Sequence, residues 1–142
     1  MKTHAETLIV RTPGGGGRKS FVDVTEDVRA IVARSGIMTG IANIFICHTS
    51  ASLVIQENAD PRVLSDLARW FEKVAPRDAS YEHDDEGPDD MPSHLRSAIT
   101  KTSETIPIRR GTLALGTWQA LYVFEHRDAS HSRTLDITLL GV

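Results

Sequence analysis

The chain of 142 residues contains a single cysteine, Cys47, so no disulfide can form within it. No apolar run approaches the roughly 20 residues that a membrane-spanning helix needs. Sixteen lysine and arginine residues stand against 19 aspartate and glutamate residues, which gives a formal net charge of −3. This lack of basic excess argues against a general nucleic-acid binder. The segment Met1 to Glu6 lacks the apolar stretch of a secretory signal. We therefore expect a cytoplasmic protein that engages neither nucleic acid nor membrane.

The remaining composition is typical of one globular domain. Hydrophobic residues make up 40% of the chain and charged residues 25%, as in ordinary folded proteins. A chain of this length can bury a hydrophobic core without a disulfide or a structural metal. No internal repeat or change in composition divides the sequence. We therefore predict that residues 1–142 form a single domain.

The N-terminal segments predict a β-hairpin. Thr7 to Arg11 is rich in β-forming residues, and Arg18 to Val24 supplies a returning strand. Between them, Pro13 and the run Gly14 to Gly17 interrupt the pattern. The glycine run invites comparison with a phosphate-binding loop, but no Lys-Ser or Lys-Thr pair follows at the required spacing. A flexible hairpin tip is the favoured interpretation.

Three segments predict helices. The first runs from Thr25, the expected N-cap, to Gly36, a glycine suited to a left-handed C-cap. The second follows Asp60, a capping residue that precedes a proline. The third runs from Asp90 to Ile99, after an acidic and turn-rich loop. The apolar residues expected to face the core are Val28, Ile31 and Val32, then Val63, Leu64, Leu67, Phe71 and Val74, then Leu95 and Ile99.

The other segments predict strands. The stretch Ile41 to Cys47 has one apolar face, and His48 has the parity of that face. The stretch Trp118 to His126 is apolar on both faces, which is typical of a central strand. A turn and a short strand are expected within Thr49–Ile55, and further strands at Glu104–Ile108, Thr112–Leu115 and Arg133–Leu140. The order of elements predicts an α+β fold in which mixed β-sheets pack with two or three helices.

Polar residues at a strand end mark a first candidate site. His48 begins the segment His48 to Ser52, and Asn58 follows shortly after it. Histidine titrates near neutral pH, so His48 could transfer a proton or ligate a metal. Alternatively, it simply hydrogen-bonds the neighbouring loop. Alternation sends Cys47 to the opposite face, which excludes a Cys–His pair. We expect Cys47 to be a small core residue.

An acidic segment with two histidines marks a second candidate site. Six carboxylates lie between Glu82 and Asp90, and they would repel one another unless a cation or basic side chains offset them. His83 lies within the segment and His94 just beyond it. Imidazole and carboxylate ligands suit Zn²⁺, Mn²⁺ or Mg²⁺. The alternative is a solvated loop, because the two imidazoles can meet only if the loop folds back over the helix start.

A buried acid marks the third candidate site. Gln119 and Glu125 share one face of the Trp118 strand. A buried glutamate is costly unless it is paired, so Glu125 could ligate a metal, act as a general base or hold an arginine. We expect no ordinary salt bridge to Arg127 or Arg133, because neighbouring residues alternate sides. Those arginines could bind phosphate bidentately or merely keep the surface soluble.

These three segments resemble the hallmark motifs of the YjbQ family. The matching stretches are His48-Thr-Ser-Ala-Ser-Leu, Tyr81-Glu-His-Asp-Asp-Glu-Gly-Pro-Asp-Asp-Met-Pro-Ser-His94, and Gly116-Thr-Trp-Gln119 with Glu125-His126-Arg127. The similarity runs over nearly the whole chain. It implies a compact α+β domain that assembles as a homotrimer. The family's motif histidines carry over to His48, His83 and His94, and its acidic position to Glu125.

The resemblance also implies a reaction, namely secondary thiamine-phosphate synthase activity. In that reaction a pyrimidine diphosphate is joined to a thiazole phosphate and pyrophosphate is released. We therefore expect a small phosphorylated substrate and a divalent cation held by His48, His83 and His94. The alternatives are a metal-dependent hydrolase of a phosphorylated metabolite and a non-catalytic trimeric module that binds an anion or a metal. The expected catalytic residues are His48, Glu125 and Gln119, and the expected substrate-binding residues are Ser50, Ser52, Asn58, Arg127 and Arg133.

Overall fold

Eight strands in two sheets form the framework of the protein, whose computed structural model describes residues 1–142. In chain order they are β1 (Lys2–Thr12), β2 (Phe21–Asp23), β3 (Thr39–Ile46), β4 (Ala51–Glu57), β5 (Ser103–Arg109), β6 (Thr112–Leu113), β7 (Gln119–Glu125) and β8 (His131–Gly141). The larger sheet has the order β1-β8-β3-β5-β6, and the smaller sheet has the order β2-β7-β4. Every strand pairing is antiparallel. The predicted α+β class is confirmed, with antiparallel rather than mixed sheets.

The three predicted helices are all present. They are α1 (Thr25–Ser35), α2 (Pro61–Val74) and α3 (Asp90–Ile99). Asp60 caps α2 as predicted, because its Oδ1 accepts a hydrogen bond from the Arg62 amide at 3.0 Å. Thr25 is the first residue of α1 and not its N-cap, and its Oγ1 accepts from the Leu121 amide at 2.9 Å. This bond ties the start of α1 to β7. None of the helices combines the length and the apolarity that crossing a bilayer requires.

The hydrophobic core lies in two layers on either side of β7. Leu121 and Val123 join a cluster of 19 buried residues that fills the space between the two sheets and α1. The opposite face of β7, including Tyr122 and Phe124, packs against Phe71 of α2. Alternation along a strand explains this division, because successive side chains point to opposite faces. Strand β7 is therefore buried on both faces and central in its sheet, as predicted.

The glycine run does not form the predicted hairpin tip. Strand β1 pairs with β8 and strand β2 pairs with β7, so the segments that flank the glycines belong to different sheets. Gly14 to Gly17 carry the chain between the sheets into a 3₁₀-helix at Gly17–Ser20. All four glycines have φ between 65° and 86°, which is left-handed backbone that favours glycine. The glycine run is therefore a connection between the two sheets, and its conformation is one that favours glycine.

The prediction that Cys47 is a core residue is wrong. Strand β3 ends at Ile46, and the Cys47 side chain is exposed beside the carboxylate of Asp136, with Sγ 3.4 Å from Oδ2. Alternation places Cys47 on the side of Phe45, which is 45% exposed. That side is the outer face of the larger sheet, so the parity argument was right and the inference of burial was not.

The prediction that Ile99 faces the core is also wrong, whereas Leu95 is half-buried. Ile99 is 55% exposed, whereas Ser93 and Arg96 are among the buried residues of α3. Helix α3 therefore turns a mainly polar face towards the protein interior. Hydrophobic periodicity could not reveal this, because the buried positions are held by hydrogen bonds and charges.

Gly14→Ala should destabilise the protein far more than Gly16→Ala. Both glycines have left-handed backbone, with φ of 73° and 69°, so alanine is strained at either position. A Cβ at Gly14 would lie 2.2 Å from the backbone oxygen of Asp128, whereas one at Gly16 meets nothing within 4 Å. Denaturant unfolding should show a loss of about 1 kcal/mol for Gly16→Ala and about 3 kcal/mol or more for Gly14→Ala. Equal losses would contradict the steric requirement at Gly14.

Candidate functional site

The carboxylate of Glu125 lies between the two sheets at the end of β7. Its side chain is 0% exposed and shares the face of Leu121 and Val123, towards the larger sheet. Arg133 of β8 binds both carboxylate oxygens, with Nε donating to Oε1 at 2.7 Å and Nη2 donating to Oε2 at 2.5 Å. Thr12 of β1 donates its hydroxyl to Oε1 at 2.6 Å. Glu125 therefore links the smaller sheet to two strands of the larger one.

This ion pair overturns the expectation that Glu125 would not bind Arg133. Alternation separates neighbours on one strand, but Arg133 lies on the opposite sheet and points inward in line with Leu135. Burial by itself raises the pKa of Glu125, but hydrogen bonds from Arg133 and Thr12 outweigh burial and hold the pKa below its usual value. Glu125 is thus ionised, enclosed and paired, which assigns it and Arg133 to the framework of the site.

His126 occupies the other side of the strand end, next to α3. The residue is 3% exposed, and its ring meets Phe124 edge to face with centroids 4.3 Å apart. Its Nε2 lies 2.9 Å from the hydroxyl oxygen of Ser52. Burial, and then the charge of Arg96, lower the pKa of His126 to about 3. Ser52, expected to bind substrate, is fully buried and holds this neutral ring instead.

Gln119 and Asn58 lie away from the other candidates. The antiparallel register of β4 and β7 places Gln119 at the opposite end of β7 from Glu125, about 20 Å away at roughly 3.3 Å per residue. The side-chain oxygen of Gln119 accepts a hydrogen bond from the Gly116 amide at 2.8 Å and so closes a turn. Asn58 is exposed at the end of β4. The structure therefore does not unite the predicted catalytic pair Gln119 and Glu125.

His48 lies half-buried just after β3. Its Nε2 accepts a hydrogen bond from the Thr134 amide at 2.8 Å, so the neutral ring carries its proton on Nδ1. Burial, and then the charge of Arg133, lower the pKa of His48. The neighbouring Ser50 hydroxyl accepts from Nη2 of Arg133 at 3.1 Å. With Nε2 engaged by the backbone and Nδ1 protonated, His48 is not free to ligate a metal in this conformation.

His83 and His94 do come together, because the acidic loop folds back over the start of α3. Their ring centroids are 5.6 Å apart. Asp90 lies between them, with Oδ2 2.7 Å from Nε2 of His83 and 3.3 Å from Nε2 of His94. One ligand-type atom from each residue lies within 4.8 Å of the others. We refer to His83, Asp90 and His94 as the histidine–aspartate cluster. His48 does not belong to it, so the predicted meeting of three imidazoles is found for two.

Arg127 holds the acidic side of this cluster in place. Its Nε donates to Asp89 Oδ2 at 2.9 Å, and its Nη1 donates to Asp90 Oδ1 at 2.8 Å. Its backbone amide donates to Oε2 of Glu125 at 3.1 Å. Arg127 therefore connects the buried ion pair to the cluster. The guanidinium that was expected to bind phosphate is engaged by two carboxylates.

The charges within the cluster reinforce one another. Burial raises the pKa of Asp90, but the hydrogen bond from His83 and the charge of His94 outweigh burial and hold the pKa below its usual value. The same hydrogen bond raises the pKa of His83. From the sequence, Asp90 is one of six carboxylates in the acidic segment and the first residue of the predicted helix, and it was not singled out as the partner of His83 and His94. The missed signal was its spacing of four from His94, which puts both on one face of a helix.

An open cleft of about 350 Å³ adjoins the cluster. His83 lines it together with Arg77, Tyr81, Gly87 and Met91. This volume lies within the range of small-molecule sites. The side chains of His83 and His94 are 41% and 36% exposed, while that of Asp90 is 6% exposed. A small ligand in the cleft could therefore reach the imidazole of His83.

The fold and this site define an α+β protein with two facing antiparallel sheets and a histidine–aspartate cluster at the start of its last helix. The chain belongs to the YjbQ family, since a family model described as "UPF0047 protein YjbQ-like" matches residues 8–142. The family predicted from the sequence motifs is thereby confirmed.

Relatives and solved structures agree with this assignment. The chain is 48% identical over 142 residues to UPF0047 protein sll1880 of Synechocystis, covering 99% of this chain and 94% of the relative. It is 44% identical over 124 residues to UPF0047 protein YjbQ of Escherichia coli O157:H7, covering 87% and 90%. A YjbQ/UPF0047 family protein from Clostridium acetobutylicum superposes with a TM-score of 0.85 at 30% identity, covering 95% of this chain and 99% of that one. A conserved hypothetical protein from Thermus thermophilus gives 0.82 at 32% identity, covering 95% and 99%.

The stability of the protein should fall as pH drops below 6.5, because of His126. The unfolded chain binds this proton near pH 6.5, whereas the folded protein binds it only near pH 3, so acid favours the unfolded state. As the pH falls below 6.5, the unfolding free energy of wild type should decrease relative to that of His126→Gln by about 1.4 kcal/mol per pH unit. Urea unfolding from pH 7 to 5 measures it. His4→Gln is the control and should keep the wild-type slope; an unchanged slope in His126→Gln would refute the assignment.

Proposed function

We propose that this protein is a metal-assisted enzyme that acts on a small phosphorylated metabolite. The observation that carries the proposal is the histidine–aspartate cluster, whose ligand-type atoms lie within 4.8 Å of one another beside an open cleft. The family resemblance adds the reaction, which is coupling of a pyrimidine diphosphate to a thiazole phosphate as a secondary activity. The cytoplasmic location expected from the sequence is part of the same proposal.

The donor set of the cluster fits a divalent cation. His83 and His94 offer imidazole nitrogens and Asp90 offers a carboxylate oxygen, which are ligands that Zn²⁺ and Mn²⁺ accept. Three protein ligands leave coordination positions open for water or a phosphate oxygen, as in catalytic metal sites. A bound cation would offset the negative charge that develops on a pyrophosphate leaving group.

The protein orients this donor set through Arg127 and the cleft. Arg127 holds Oδ1 of Asp90, which leaves Oδ2 turned towards both imidazoles. Tyr81 donates its hydroxyl to the Pro76 carbonyl at 2.6 Å and so fixes the loop that forms the cleft wall. The cluster is thus supported by hydrogen bonds from outside it, as metal ligands commonly are. Ser52, Glu125 and Arg133 are buried in the framework, so the proposal assigns them no direct contact with substrate.

The purified protein should bind Zn²⁺ or Mn²⁺. His83→Ala and His94→Ala should each weaken this binding by about 100-fold or more, because each removes a direct ligand, and even the loss of a hydrogen bond to a ligand typically costs about 10- to 100-fold in metal affinity. Binding should also weaken as pH falls below neutrality, because the metal competes with protons for the imidazoles. Calorimetric titration with each metal measures both effects. His4→Ala lies outside the cluster and should bind like wild type. Equal metal affinity in all variants would exclude the cluster as the site.

Turnover assays should separate the reaction classes. With pyrimidine diphosphate and thiazole phosphate, the metal-loaded protein should release pyrophosphate, and His83→Ala should lose this activity together with its metal. Fast hydrolysis of phosphorylated metabolites with only trace coupling would instead favour a hydrolase. A protein that binds metal but turns over none of these substrates would contradict the enzyme proposal and favour a binding module.

We further propose that the chain forms a homotrimer through the outer face of its larger sheet. Ile41 of β3 lies directly opposite Leu140 of β8 in the register. These two side chains are 42% and 39% exposed, and Ile9 and Phe45 on the same face are 57% and 45% exposed. Clusters of exposed apolar side chains on a sheet commonly mark protein–protein contacts. The trimer itself is what the family resemblance implies.

Light scattering on the purified protein should give three times the mass of one chain. Phe45→Glu should dissociate the trimer, because it replaces an exposed apolar side chain of the proposed contact with a second negative charge opposite Asp136. Trp70→Glu is the matched control, since Trp70 is 53% exposed on α2, away from this sheet. Trp70→Glu should leave the mass unchanged. A monomeric wild type, or a trimeric Phe45→Glu, would contradict the proposed interface.

A further inference from the structure

Arg96, on the buried face of α3, carries a charge without a partner. The residue is only 9% exposed, yet its guanidinium forms no ion pair within 4.0 Å. Its Nε is shielded from solvent and has no hydrogen-bond partner. The neighbouring arginines Arg127 and Arg133 each bind carboxylates. Arginine does not lose its proton in proteins, so the positive charge of Arg96 stays uncompensated within the chain.

The nearest carboxylates do not supply this partner. Asp128 is committed to Arg77, which donates to both of its carboxylate oxygens. Glu72 influences Arg96 electrostatically, but it is exposed and stays beyond ion-pair distance. Asp78 is also exposed, in the wall of the adjoining groove. A buried charge without a partner is unfavourable, and an anion bound to Arg96 would relieve that cost.

Arg96 lines a small cavity of about 20 Å³, together with Gly16, Gly17 and His126. A Cβ on either glycine would meet nothing within 4 Å, so open space lies beside the glycine backbone. The cavity has room for about one water-sized atom. Arg96 and Arg77 also line an open groove of about 310 Å³. A ligand can thus place one oxygen in the cavity while its remaining atoms occupy the groove.

Nδ1 of His126 is a second polar atom without a partner among the residues that line this cavity. Thr100 Oγ1 is 2.7 Å from the carbonyl oxygen of Arg96 and 2.6 Å from the hydroxyl oxygen of Ser52. The Arg96 carbonyl also accepts from the Thr100 amide at 3.1 Å, and the Thr100 hydroxyl donates to Ser52 Oγ. Ser52 Oγ in turn lies 2.9 Å from Nε2 of His126. Nδ1 on the other side of the ring is shielded from solvent and has no partner.

We propose that Arg96 and His126 form a subsite for the phosphate group of a small ligand. Arg96 donates to the phosphate oxygens, and the unpartnered Nδ1 of His126 hydrogen-bonds the oxygen that enters the cavity. The subsite goes beyond the proposed metal site and uses none of the residues of the histidine–aspartate cluster.

Calorimetric titration with inorganic phosphate at pH 7, in the presence of EDTA, tests this subsite. Wild type binds phosphate. Arg96→Gln and Arg96→Lys lose about 10-fold or more in phosphate affinity, because hydrogen bonds from a guanidinium to an anion are worth at least that much. Arg109→Gln, at an exposed position of β5, is the control and keeps wild-type affinity. Amide signals of Gly16 and Gly17 shift on phosphate addition in wild type.

Several outcomes would overturn the subsite. Equal phosphate affinity in wild type and both Arg96 variants would do so, as would an absence of binding at millimolar phosphate. Unchanged phosphate affinity in His126→Gln would overturn the role of His126. Thermal unfolding verifies that the variants fold, and Arg96→Lys preserves the charge if the glutamine variant does not fold. Because EDTA removes divalent cations, failure of this test and failure of the metal-assisted function are separate results.

Discussion

The buried ion pair between Glu125 and Arg133 is the interaction on which the rest of this structure depends. It lies among the aliphatic side chains between the sheets, where removing one partner of such a pair typically costs about 3–5 kcal/mol. Its acceptor comes from β7, and its donors come from β1 and β8. The full set of bonds therefore forms only when the two sheets meet in one relative position. Apolar packing favours contact between the sheets, and this pair fixes their register.

The residues that follow Glu125 connect the ion pair to the candidate site, so the relative position of the sheets also positions the site. His126 packs on Phe124 and binds Ser52, which anchors the strand end beside α3. Arg127 donates its amide to Glu125 and its guanidinium to the acids at the start of α3. The acidic loop is thereby drawn back over the helix, so that His83 and His94 meet. The histidine–aspartate cluster is thus built from the framework outward.

Helix α3 is unusual in that charges, more than apolar contacts, hold its inner face. At its start, Asp89 and Asp90 are matched by Arg127. Further along, Arg96 is buried without a partner. Natural proteins leave such a charge buried and unpaired mainly at functional sites, where a bound ligand can supply the missing partner. The start of α3, where Arg127 pairs with the acids, lies at the proposed metal site. Arg96, further along the helix, lies at the proposed phosphate subsite.

Much of the fold follows from the sequence, because local patterns determine it. Helical spacing, the Asp60 cap and the two-sided apolar strand β7 are properties of short segments, and all were predicted. The motifs also identified the family. The partners of Glu125, the burial of Arg96 and the exposure of Cys47 were not predictable, because they depend on which sheet faces which. Two imidazoles were correctly grouped, but Asp90 joined them and His48 did not. Periodicity specifies which way a side chain points along its own strand or helix, and only the tertiary structure decides what it meets there.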